Sequence, residues 1–310
     1  MRKIMSISLG ASSRDHVAVT EILNERFHIE RIGTNGDMKK AIQLLQQYDG
    51  KVDAFGMGGI DFYIYVGKGC HEIRDAKVLK NTPKISPIVD GSGLKNTLER
   101  KVIAYLDQNR IISFQNKKVL LVSAADRFGM AESLDQAGSD LICGDLMFTL
   151  GIPYPIKSLK SFFKIASCIA PLAVMLPFNL LYPTGVKQEI RQETKYEVYY
   201  NEADIIAGDY HYIKKYMPLK MKDKIIITNT TTQQDIYDMK QRGVSLLITT
   251  TPELNGRSFG TNVMEAVLIS LMDKEFKDIN ELDYHIMLDK LQLKPRITHL
   301  NEKEFQGFSQ

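Results

Sequence analysis

"NKKVLLVSAADRFGMAESLDQAGSDLICGD", residues 116–145, reads as an apolar strand, a polar turn, a helix stopped by Gly138 and a second strand. Neither strand alternates polar with apolar residues, so both faces of each are buried, as in a parallel sheet covered by helices. Parallel neighbours need a helical crossover of this kind. The pattern recurs in "DIIAGD" (204–209), "IIITNT" (225–230) and "LLITTT" (246–251), with helical stretches between them. Together with "VLLVSA" (119–124) and "DLICGD" (140–145) they predict a doubly wound, Rossmann-like parallel sheet of about five strands.

The same alternation runs through the first third of the chain. "IMSISLG" predicts a strand, Asp15 to Arg26 a helix, "FHIERIG" a strand and "DMKKAIQLLQQY" a helix whose Met38, Ala41, Ile42 and Leu45 share one face. "VDAFGMGG" predicts a buried strand, "DFYIYVG" and "HEIRDAKVL" a hairpin, "SPIVDG" a short strand, and Leu94 to Gln108 a long helix. The chain therefore divides near Phe114–Lys117 into an N-terminal α/β substrate-binding domain (1–114) and a Rossmann-like nucleotide-binding domain (115–310). The second carries an apolar insertion (150–190) and a helical tail. "KPRITHL" (294–300) is expected to return to the first domain.

Composition bounds the function. In 310 residues, 44% are hydrophobic and 25% charged, which suits a soluble chain with a real core. A net charge of +3, mixed along the helices, argues against a nucleic-acid partner. Cys70, Cys143 and Cys168 form no CxxC, so neither a disulfide framework nor a zinc site is expected, and a reducing cytoplasm fits. The N-terminal "MRKIMSISLGASS" is too short and too broken by serines for a signal peptide, and reads as a strand. Residues 162–183 are almost entirely apolar, but Pro171, Pro177 and Pro183 divide them. They are expected to pack as broken helices over the second domain or in an interface, with peripheral membrane contact or self-association as a homo-oligomer.

Ligands of open parallel sheets bind at the carboxyl ends of the strands. Those ends carry Ser123 to Gly129, Gly144–Asp145, Gly208 to His211, Asn229 to Thr232 and Thr249 to Pro252. Polar residues at helix starts are also ordinary N-caps, but five converging polar ends favour a ligand site. For a dinucleotide the candidates are Ser123, Asp126, Arg127, Phe128, Gly129, Asp145, Asn229, Thr230, Thr231, Thr250, Pro252, Arg257 and Asn262. The GxGxxG fingerprint is missing, while Asp145 stands where a ribose-binding carboxylate belongs, which favours NAD over NADP.

In the first domain, "PIVDGSGLKNT" (87–97) fails the P-loop pattern because Leu94, not glycine, stands directly before Lys95. It places Asp90 at a strand end and Lys95 one turn into a helix, a pair able to hold a hydroxyl and relay its proton. Plain capping by Asp90 with a solvated Lys95 is the alternative. Ser12, Ser13, His16, Thr34, Asp37, Asp61 and Asn96 are the substrate-binding candidates, suited to a small polyhydroxylated or carboxylated molecule.

"SLGASSRDH", "VDGSGLKNTLERKV", "VLLVSAADRFGMAE", "GDLMFTLGIP", "AGDYHYI" and "TTTPELNGRSFGTNVMEAV" together resemble a bacterial, largely Firmicute family carried as quinate 5-dehydrogenase. The resemblance implies NAD(P)-dependent oxidation of a ring hydroxyl, a substrate domain ahead of a Rossmann domain, and catalysis by a Lys–Asp pair, here Lys95 as proton carrier and Asp90 as its partner. The glycine-rich GAGG-type turn of that class is replaced by "SAADRFG", and its NVTxPxK-like stretch is absent. Two functions therefore stand: an NAD(P)-dependent oxidoreductase acting on a quinate- or shikimate-like metabolite, or a non-redox nucleotide- or metabolite-binding protein.

Overall fold

A computed structural model describes residues 1–66, 69–177, 195–251, 253–254 and 257–301. Its architecture is α/β, built on two parallel-rich sheets. In the first third of the chain come β1 (Arg2–Ser8), β2 (His16–Ile22), β3 (Glu25–Gly33), α1 (Met38–Tyr48), β4 (Ala54–Gly58), β5 (Tyr63–Val66), β6 (Gly69–Glu72), α2 (Arg74–Lys80) and β7 (Ile88–Val89). They form a sheet of order β2-β3-β1-β4-β7, with β5 and β6 as a separate hairpin. Helix α3 (Ser92–Gln108) leads to the second sheet.

The second sheet uses β8 (Lys118–Leu121), β9 (Asp140–Cys143), β10 (Ile205–Ala207), β11 (Ile225–Thr228) and β12 (Leu246–Thr249), all parallel where they pair. Between them lie α4 (Phe128–Gln136), α5 (Asp145–Phe148), α6 (Leu159–Ala173), α7 (Glu197–Glu202), α8 (Tyr210–Tyr216) and α9 (Gln233–Gln241). The short strands β13 (Glu253–Leu254) and β14 (Arg257–Ser258), α10 (Thr261–Leu271), α11 (Glu281–Lys290) and β15 (Arg296–His299) complete the chain. The strands are continuously apolar because successive residues enter different cores. Val119, Leu121, Ile205, Ile227 and Ile248 lie in one cluster, while Leu120, Ile206, Ile226 and Leu247 lie in the other.

The first sheet departs from expectation at Asp15–Arg26. No helix forms there; β2 and β3 pair antiparallel in register Ile22↔Glu25. Leu23 and Asn24 both take positive φ, 51° and 64°, the turn geometry that matches the twist of a two-residue hairpin. The apolar spacing of 17–23 satisfies a helix too; the long-range ladder with β3 decides. The arm "HEIRDAKVL" likewise is strand only to Glu72 and becomes α2. The tail strand β15 does not return to the first sheet but adds antiparallel to β12 at the edge of the second.

Helix α10 packs against β4 and β1 of the first sheet. The approach is close. A Cβ on Gly56 would lie 2.7 Å from the Asn262 carbonyl oxygen, and one on Gly91 2.8 Å from the Asn262 nitrogen. The glycines of "GMGG" and "DGSG" therefore admit a helix backbone. Helix α6 touches β5 on one side and α4 and β9 on the other, with Pro171 in its last turn. Among the described residues no helix is long and apolar enough to cross a membrane. Residues 178–183 of the apolar segment lie outside the described residues.

Candidate functional site

In each sheet the chain turns to opposite sides after a central strand: β1 lies between β3 and β4, and β8 between β9 and β10. Such switch points open a crevice at the strands' carboxyl ends. The two crevices face each other across one cleft of about 600 Å³, lined from the first sheet by Ser8, Gly58 and Asp61 and from the second by Ser123, Asp126 and Asp209.

Lys95 reaches this cleft from the first turn of α3. Its ammonium donates to Asp61 Oδ1 at 3.0 Å, from the loop after β4, and to Asp126 Oδ1 at 2.6 Å, from the turn after β8. The lysine side chain is 9% exposed and the two aspartates 15% and 19%. Burial alone would lower the Lys95 pKa, but Asp126 and Asp61 reverse that and raise it above the ordinary lysine value. Burial also opposes ionisation of Asp126, yet Lys95 and Arg127 hold it below the usual carboxylate range. Asp61 goes the other way: burial, with Asp126 and Asp90 nearby, outweighs Lys95 and pushes it up to about 7. The cluster thus contains a fixed cation, a fixed anion and one carboxyl that titrates near neutrality.

A second ionic layer lies behind the first. Arg127, 2% exposed, donates to Glu99 of α3, to Asp126 at 3.0 Å and to Asp209 at 3.1 Å. Burial disfavours its charge, but the three carboxylates raise its pKa on balance. The side chain expected to meet a phosphate is engaged by carboxylates and ties α3 to the turns after β8 and β10.

Asp90 is not the partner of Lys95. Its carboxylate accepts the Phe62 N–H at 2.5 Å and the Ser92 N–H at 2.9 Å, bracing the start of α3, although it still borders the cleft. Gly91 and Gly93 face inward. Glu265 of α10 lies against Gly93 and accepts the Tyr284 hydroxyl at 2.6 Å through Oε1, while its Oε2 is buried with no partner among the described residues. Burial and the neighbouring Asp90 push Glu265 up to about 8.

The expected dinucleotide turn is similarly filled. The Asp145 carboxylate accepts the Ala124 N–H at 3.0 Å and the Ala125 N–H at 2.9 Å, and burial raises it to about 6. A pyrophosphate at this turn would have to displace Asp145 and lie beside Asp126 and Asp209. In this arrangement the turn does not fit a dinucleotide. Gly129 serves packing, since a Cβ there would lie 2.4 Å from the Asn96 carbonyl oxygen.

The remaining candidates divide. Ser13, His16, Asn229, Thr230, Thr231 and Asn262 border the cleft. Asn229 donates to Asp209 at 2.7 Å, and Asn262 to Ser6 Oγ at 3.0 Å. Ser12 and Asn35 bond each other, Thr34 donates to the Ser8 carbonyl at 3.2 Å, and Asp37 caps α1 through the Lys40 N–H at 3.0 Å; these hold their own loop. Asn96 accepts from Arg100 at 3.3 Å, and Phe128 packs edge-on against Phe163. Thr250 is buried, with its hydroxyl unpartnered among the described residues. Pro252 and the Arg257 side chain lie outside the described residues.

Sequence reasoning missed Arg14 and Arg31, and it singled out the apolar segment that contains α6 without placing it on the cleft. Arg14 borders the cleft from the first sheet and meets His211 of α8 at 2.8 Å, and Arg31 beside it bonds Asp15 at 2.8 Å. Arg14 sits in the short turn ahead of β2 and Arg31 on β3, and nothing local in either stretch says that the two side chains meet at the cleft.

The comparisons add fold likeness only. No curated protein matches the chain. Similar solved structures include a sugar ABC transport substrate-binding protein from Bordetella parapertussis (9% identity, 100% of this chain and 96% of that chain, TM-score 0.38). An NAD-dependent malic enzyme from Thermotoga maritima (14%, 81% and 66%, 0.34) and an L-tryptophan dehydrogenase from Nostoc punctiforme (10%, 94% and 80%, 0.36) are similar at the same distance. Likenesses this remote say nothing of function. Residues 3–90 match a domain of unknown function, DUF8753. With residues 93–300 matched, which takes in Lys95, Asp126 and Asp209, the chain belongs to the family described as domain of unknown function DUF8754.

Proposed function

We propose that the cleft binds a small hydroxylated metabolite and moves a proton at one of its hydroxyl or carbonyl oxygens. The observation that carries this is Lys95, buried at the junction of the two units and bonded to one aspartate from each. Lys95 stays cationic and positions the ligand oxygen, and Asp61 is the group that gives or takes the proton, since its pKa of about 7 is matched to neutral chemistry. This reassigns the proton from Lys95 to Asp61 and the partner carboxylate from Asp90 to Asp126. A thermal-shift screen of shikimate- and quinate-type hydroxy acids and sugars tests it. Binding by one of them should weaken about a hundred-fold or more in Asp61→Asn, with a wild-type pH profile that turns near 7. Equal binding by the variant would refute the assignment.

NAD(P)-dependent oxidation of a quinate-like hydroxyl is the second reading. It is favoured by a lysine–aspartate centre at the carboxyl ends of a Rossmann-like sheet, and opposed by Asp145 on the turn amides. A fluorescence titration with NADH and NADPH separates the two, because only the redox reading requires saturable dinucleotide binding. A cytoplasmic, homo-oligomeric protein is consistent with either.

A further inference from the structure

The cleft is two-sided. One side is the ionic cluster. The other is α6, where Ile165, Ala166, Ile169 and Ala173 recur at helical spacing and border the same cavity, with Ile64 and Val66 of β5 also lining it. The four α6 residues are half-buried: each packs in part against the core and also borders the cavity. A polyhydroxylated ligand set against this wall would lose hydration there without gaining hydrogen bonds. An apolar arm would instead remove both surfaces from water.

We infer that the ligand is an amphiphile: a hydroxylated polar head at Lys95 and Asp61, and an alkyl or aryl arm lying along α6. The cavity supports this. At about 600 Å³ it exceeds what a single small polyol or hydroxy acid fills, and its polar and apolar linings are continuous. The wall alternates small side chains, Ala166 and Ala173, with the larger Ile165 and Ile169. The inference rests on the ligand-site reading above and adds the class of molecule.

Calorimetry with racemic 3-hydroxybutyrate, 3-hydroxyoctanoate and 3-hydroxydodecanoate tests it on the full chain. Each buried methylene should tighten binding about four-fold, so the eight-carbon acid should bind at least about a hundred-fold tighter than the four-carbon acid. In Ala166→Phe, which sets a ring into the space beside the wall, that ratio should collapse below about ten-fold. Ile169→Thr is a milder change expected to reduce the ratio in part, and it serves if Ala166→Phe fails to fold. Equal affinities across the series, or a ratio that survives both variants, would overturn the inference. A polar hydroxy acid bound through Asp61 with no chain-length dependence would overturn it while leaving the ligand-site reading intact. No binding by any hydroxylated compound would end both.

Discussion

Two strand-to-helix turns, "IVDGSG" after β7 and "SAADRFG" after β8, look alike in sequence: an apolar strand, small residues, an aspartate and a helix start. In both, the amides that could cradle an anion are held by carboxylates of this chain. Asp90 serves the first turn, Asp145 the second. They differ in what lies outside. The first is sealed, because a Cβ on Gly91 or Gly93 would strike Asn262, Glu265 or Tyr284. The second stays open to the cleft through Asp126, which reaches Lys95. The lesson is that a glycine-rich helix start identifies a close approach without saying what approaches. Here one turn meets a helix, the other an open cleft.

The largest effect should come from the residue that joins the turns. Lys95→Met leaves Asp61 and Asp126 without their shared cation. Breaking a buried pair costs about 3–5 kcal/mol, and urea unfolding would measure it. Adding Asp126→Asn to the same chain should recover part of the loss. If Lys95→Met unfolds like the wild type, the two turns are not coupled through it.

Next comes Gly91→Ala, with φ 96° and the Asn262 nitrogen 2.8 Å from the new Cβ. Strain and clash together should cost about 2–4 kcal/mol. Gly151→Ala is the control. It shares the positive φ, 73°, but its Cβ would meet only Lys195 Nζ at 3.8 Å, so it should lose about 1 kcal/mol. Equal losses would mean that the seal at the first turn contributes nothing.

The pH dependence separates the turns further. Glu265 near 8 and Asp145 near 6 are both raised above their unfolded values. Each folded group then binds protons more tightly than the unfolded chain. The stability it contributes is full below about pH 4 and is lost as pH rises through its folded pKa. Glu265→Gln should therefore raise Tm by a few degrees at pH 9 and leave it nearly unchanged at pH 4. Thermal melts across that range check the sign.

Asp145→Asn should be the smallest change. Its single amide oxygen can keep one of the two turn N–H bonds and must lose the other, so the cost should be about 1–2 kcal/mol. The part of the stability curve that bends near pH 6 should flatten. A loss as large as that of Lys95→Met would mean that Asp145 braces the whole cleft.

The amino-acid sequence by itself determined the second sheet. Continuous apolar runs between helical stretches admit few arrangements other than buried parallel strands, and all five formed. It also placed Lys95, Asp61 and Asp126 at strand and helix ends, where ligands gather. It did not determine which of them meet. The 34 positions from Asp61 to Lys95 and the 31 from Lys95 to Asp126 close only when two sheets face each other. Asp90, five residues from Lys95, is the nearer partner in sequence but turns to backbone amides. The hairpin at Asp15–Arg26, the seating of α10 on the first sheet and the edge position of β15 were likewise settled by tertiary pairing. Local apolar spacing is compatible with more than one partner, and only the partner that buries the most surface and satisfies the most backbone groups prevails.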